Sequence, residues 1–88
     1  MENIVVEVKF SERFSSETRT DYLERVLNRV RNISIEQDCP VQVKGYFFDA
    51  DVERVYNLYH GLIEIRLNEV KKGLYFAVFT VMANFPHQ

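Results

Sequence analysis

Six apolar residues, Tyr22, Leu23, Val26, Leu27, Val30 and Ile33, recur at helical spacing and form one stripe along a helix. Glu24, Arg25, Asn28, Arg29, Arg31 and Asn32 take the opposite side. Thr18 stands where an N-cap belongs, with Asp21 three residues on in the capping-box position. The helix is expected to fade between Ser34 and Asp38 and to be finished by Pro40, since the residue before a proline avoids helical geometry. A lone amphipathic helix must lay its stripe on another layer. The segments on either side of it read as extended chain, so the second layer is a sheet.

Ile4, Val6, Val8 and Phe10 alternate with Val5, Glu7 and Lys9, the period-two pattern of a half-buried strand. Ser11 to Ser16 is polar and turn-like, with Phe14 expected to pack inward. A second strand is expected from Val41 to Phe48, and Asp49 is placed to cap a helix directly after it. Val52, Val55, Tyr56 and Tyr59 fit a short helix, with Gly61 at its C-cap. A strand competes there, because Val52, Tyr56 and Leu58 partly fit period two. Leu62 to Leu67 alternates again, and Asn68 to Gly73 suits a hairpin loop. Leu74 to Met82 is almost continuously apolar, the signature of a central strand covered on both faces. Asn84 to Gln88 reads as a short frayed tail.

The expected fold is therefore α+β, in the order β-α-β-α-β-β. It is a small, mostly antiparallel sheet of about four strands with one long and one short helix. The 88 residues fit a single domain, 1–88. Seven Phe and five Tyr supply the large buried areas that a short chain needs, and 47% hydrophobic content excludes a disordered chain.

The single cysteine, Cys39, cannot make an intrachain disulfide. No apolar run reaches the roughly 18 to 20 residues that span a bilayer, and no cationic-then-apolar leader opens the chain. The expectation is a cytoplasmic protein with no membrane partner. A net charge of −2 and a pI of about 5.6 argue against general nucleic-acid binding. The charge is segregated. Arg13, Arg19, Arg25, Arg29 and Arg31 precede Glu36, Asp38, Asp49, Asp51 and Glu53, with only Lys44 among the acids.

Motifs that carry chemistry are sparse. Cys39, His60 and His87 show no metal-ligand spacing, so no metal is expected. The glycines at 45, 61 and 73 are dispersed and make no phosphate loop, so no cofactor is expected either. Nothing local brings Cys39 and His60 together as nucleophile and base. Asp49 and Asp51 stand near a helix start, where the macrodipole favours acids. Lys44-Gly45-Tyr46-Phe47-Phe48 is similar to the opening of the RNP1 motif of RNA-recognition domains. Phe47 then occupies the small-residue position, and the strand is second rather than third. The ordinary reading is an aromatic strand buried under the long helix. Arg25 and Arg29, four residues apart, share a helix face that would suit an acidic partner.

Two segments together resemble the RelE/HigB-type toxins and their phage-derived relatives. One is Val6-Glu7-Val8-Lys9-Phe10-Ser11-Glu12-Arg13-Phe14. The other is Tyr59-His60-Gly61-Leu62-Ile63-Glu64-Ile65-Arg66 with Lys71-Lys72-Gly73-Leu74-Tyr75-Phe76-Ala77-Val78-Phe79. The resemblance implies messenger-RNA cleavage on the ribosome. Arg66 would stabilise charge on the scissile phosphate, and Lys71 and Lys72 would contact the RNA backbone. Phe76 and Ala77 stand where the family carries an arginine, and the chain is acidic where the family is basic. The resemblance thus implies a scaffold kept without catalysis.

The leading expectation is a small non-enzymatic interaction or inhibitor module, phage-encoded or a degenerate RelE-like domain. It would bind a partner protein through Arg25 and Arg29 or through Asp49, Asp51 and Glu53. Two alternatives stand beside it. One is a RelE-type endonuclease acting through Arg66 on RNA or the ribosome. The other is a homo-oligomer joined through an exposed sheet edge.

Overall fold

The computed structural model describes residues 4–58 and 62–83. The elements run β1 (Ile4–Val8), a 3-10 turn at Phe10–Glu12, α1 (Arg19–Gln37), β2 (Val41–Phe48), α2 (Asp49–Leu58), β3 (Leu62–Lys71) and β4 (Leu74–Val81). The fold is α+β in the order read from the sequence. The competition over the segment after Phe48 resolves as helix. Tyr59, His60, Gly61 and the 84–88 tail lie outside the described residues, and with them the C-cap glycine and His87.

The start of α1 is fixed locally. Thr18 Oγ1 accepts the Asp21 N–H at 3.1 Å, and the Asp21 carboxylate accepts the Thr18 N–H at 3.2 Å. At its other end Asp38 takes the left-handed conformation, φ 50° and ψ 48°, and closes the helix two residues before Pro40. Ser34, fully buried in the last turn, donates to the Cys39 carbonyl at 2.9 Å and accepts the Ala83 N–H at 3.0 Å. One hydroxyl thus satisfies backbone groups just after α1 and just after β4 and ties the two together.

The sheet order is β1-β2-β4-β3. β1 and β2 are parallel, as strands joined through a helix can be, while β2–β4 and β4–β3 are antiparallel. Alternation along each strand assigns the faces. Val41, Val43, Gly45 and Phe47 of β2 lie on one face with Ala77, Phe79 and Val81 of β4 and Val8 of β1, all buried. The α1 stripe and Val52 and Val55 of α2 cover that face and complete the core. Edge-to-face rings tie it together, with Phe47 5.1 Å from Phe79 and 5.8 Å from Phe10. Gly45 is required by a close approach, because a Cβ there would lie 2.8 Å from the Val8 carbonyl oxygen.

Both helices lie on that one face, which corrects three expectations. β4 is central but covered on one side only. Of the β2 aromatics only Phe47 is buried under the helices; Tyr46 and Phe48 point to the uncovered face and are 57% and 49% exposed. Phe14 does not pack inward. It is 61% exposed, with the Arg25 guanidinium 4.2 Å above its ring. The hairpin loop is also shorter than expected. β3 continues to Lys71, leaving a two-residue turn, Lys72-Gly73, with Gly73 at φ 80°. No helix among the described residues is long and apolar enough to cross a membrane.

Candidate functional site

α2 begins immediately after β2, so its first residue is fixed at the end of the sheet. Val52 and Val55 seat it on the core. The stripe Asp49, Val52, Glu53 and Tyr56, at spacings of three and four, then faces the β3–β4 hairpin. Together with Leu67 of β3 and Tyr75 of β4 it encloses a shallow cavity of about 320 Å³. Leu67 faces the helices because it stands opposite Ala77, and Tyr75 because it stands opposite Phe47. Tyr56 is 51% and Leu67 45% exposed, so the groove has an apolar floor open to a ligand.

Two acids rim this groove. The Tyr75 phenol is raised above its ordinary 10.0, first by hydrogen bonding to the Asp49 side chain and then by the Asp49 charge. Glu53 is exposed one turn further along α2. The groove therefore offers apolar contact and negative charge together, which suits a segment carrying aliphatic and basic side chains. No atom of it is arranged as a nucleophile with a base.

The three acids grouped by sequence are divided by the helix. Residues two apart on a helix point to opposite sides, and Asp51 turns inward, 3% exposed. Arg19 of α1 grips it from the side, and its Oδ2 accepts the Phe48 N–H at 2.9 Å. Asp51 is thus a strut between α1, α2 and the end of β2, and no surface acid.

The two arginines are likewise unequal. Arg25 donates twice to Glu17, at 2.8 and 2.9 Å, and also lies 5.1 Å from the Tyr22 ring. This hydrogen bonding from Arg25, helped by the Phe14 N–H, holds the Glu17 carboxyl below its ordinary 4.5. Arg25 is consequently neutralised within its own layer. Arg29 is exposed and borders, with Glu7, Glu12 and Arg25, a cavity of about 220 Å³ along β1.

Arg66 projects from the helix-free face of β3, its side chain 75% exposed, with Glu64 Oε2 3.2 Å from Nη2 and 3.3 Å from Nε. Lys71 ends β3 and Lys72 opens the turn, both exposed. Cys39 is a half-buried free thiol. Among the described residues no cluster of His, Cys, Asp and Glu could hold a metal ion.

Sequence reasoning had Asp49 and Glu53 but missed Tyr56, Leu67 and Tyr75. Tyr56 was within reach, seven residues from Asp49 on the same stripe. Leu67 and Tyr75 depend on the strand register, which no local pattern displays. No protein-family model, no curated protein and no solved structure matches the chain.

Proposed function

We propose that this chain is a small non-enzymatic interaction module that holds a segment of a partner protein in the groove between α2 and the β3–β4 hairpin. The observation that carries the reading is the apolar floor of Tyr56 and Leu67 rimmed by Asp49 and Glu53. Apolar area supplies affinity, and the two acids select a basic segment and set its register. Of the pair Arg25 and Arg29, it is Arg29 that remains exposed for a partner, since Arg25 is committed to Glu17.

The test is capture from native lysate with wild type and an Asp49→Lys/Glu53→Lys variant, both checked for fold by circular dichroism. A stoichiometric protein bound by wild type, surviving RNase and lost from the variant, supports the groove. Equal capture by both removes it.

A second reading keeps RNA as the ligand, on the exposure of Arg66, Lys71 and Lys72. It predicts growth arrest on expression, abolished by Arg66→Ala with the fold intact. Harmless overexpression sinks it.

A further inference from the structure

The sheet face that carries no helix is unusual for a solvated one. Antiparallel strands that face water on one side place polar residues outward. Here the two central strands place Tyr46, Phe48, Leu74, Phe76 and Val78 outward instead. Tyr46 and Phe76 are cross-strand partners with ring centroids 5.2 Å apart. Gln42 and Lys44 of β2 and Thr80 of β4 share this side toward one end, and the other charges stand on the outer strands, Glu7 on β1 and Glu64 and Arg66 on β3. An apolar patch, Tyr46, Phe48, Leu74, Phe76 and Val78, bordered by charge is the anatomy of a protein interface.

We propose that two copies of this chain pair face to face through this surface. The order of charge selects the occupant. The registers put Glu7, Lys44, Val78 and Arg66 in one row across β1, β2, β4 and β3. Consider a two-fold axis in the contact plane, parallel to the strands and midway between β2 and β4. It exchanges β1 with β3 and β2 with β4 at constant height. Glu7 then meets Arg66 of the second copy, and Tyr46 meets Phe76 of the second copy. Each pair occurs twice, the self-complementarity that a two-fold interface demands. Packed sheets keep their strands within about 30° of each other, so Tyr46 and Phe76 beside the axis still meet, and the long side chains of Glu7 and Arg66 span the small offset at the outer strands. Arg66 is available for exchange, since its exposed pair with Glu64 is of the weak surface kind.

Other occupants fit less well. Glu7 and Glu64 offset Lys44 and Arg66 on the same face, so it presents no dominant positive field for phosphates. Edge-to-edge pairing meets a five-residue β1 and a β3 with two register breaks and alternating charges, features that blunt edges. Strand spacing and rise give the face roughly 19 by 26 Å, or about 500 Å² per copy. That is the low end for specific interfaces, so the dimer should be reversible and concentration-dependent. The groove at α2 lies on the other face and stays open in this dimer, so the inference stands apart from the groove reading.

Sedimentation over a wide concentration range tests it with wild type, Glu7→Arg, Arg66→Glu, the double reversal and Tyr46→Ser, each checked for fold. The expected result is a monomer–dimer equilibrium weakened at least about tenfold by either reversal and by Tyr46→Ser. The double reversal should return within about threefold of wild type, because the pair is restored with opposite polarity. A monomer at all concentrations overturns the proposal. So does a double variant as weak as the two singles combined. RNA retained by a monomeric wild type and lost with Tyr46→Ser would overturn it in favour of a nucleic-acid surface.

Discussion

Across 32 residues of sequence, the Arg19 guanidinium lies side by side with the Asp51 carboxylate, Nε 3.1 Å from Oδ1 and Nη2 2.5 Å from Oδ2. The same guanidinium rests 3.6 Å above the Phe10 ring and 5.1 Å from that of Phe48. The pair joins the first turns of the two helices and closes one end of the core.

Breaking this pair from the acid side should cost the most. Asp51→Ala leaves the Arg19 charge and the Phe48 N–H without their partner, and a loss of about 3 kcal/mol is expected. Arg19 keeps about a third of its side chain in water (34%), so Arg19→Met should cost less, and its hydrocarbon keeps part of the contact with Phe10. Urea unfolding of both variants checks this. Equal midpoints for Asp51→Ala and wild type would remove the strut from the account.

Gly45→Ala should destabilise by about 2 kcal/mol, the usual cost of overpacking a core position. The obstruction is backbone, the Val8 carbonyl at 2.8 Å, which cannot swing aside like a side chain. The strain falls on the β1–β2 ladder, so hydrogen exchange should quicken at Val6 and Val8 before it does at β4. Unchanged protection in β1 would count against the close approach.

Glu17 supplies a pH dependence. Its carboxyl is held below its ordinary 4.5, first by the hydrogen bonds from Arg25. The folded state therefore binds its proton more weakly than the unfolded state. The contribution is fully present above pH 4.5 and is lost as pH falls through the lower folded value. Glu17→Gln should flatten that part of the stability curve, lying slightly below wild type at neutral pH and converging with it in acid. Denaturation midpoints followed from neutral to acid pH read it directly, and parallel curves for the two proteins would refute it.

Tyr75 reports on the groove from the alkaline side. Its phenol is raised above 10.0 by the hydrogen bond to Asp49, and then by the Asp49 charge itself. Stability from this contact is present below pH 10 and is lost as pH rises through the folded value. Asp49→Asn should move one tyrosine to lower pH in an ultraviolet titration. Superimposable titrations would mean that Tyr75 and Asp49 do not meet in solution.

The helix α1 was legible because everything that makes it is local. The stripe from Tyr22 to Ile33, the Thr18–Asp21 box and the stop before Pro40 each act within a few residues. The period-two alternation of β1 was legible for the same reason. The division among Asp49, Asp51 and Glu53 comes from helical geometry once the segment is helix, although their proximity in sequence concealed it. β4 misled because its residues are apolar on both faces, and a run of that kind reads the same whether one side is covered or two.

Sequence alone thus determined the elements, their order and the α+β class, since propensity, periodicity and caps are short-range quantities. Only the tertiary structure decided that both helices settle on one face, that β4 inserts between β2 and β3, and that Leu67 and Tyr75 complete the groove. Those outcomes depend on strand pairing between distant segments, where a shift of one residue sends every side chain to the other face.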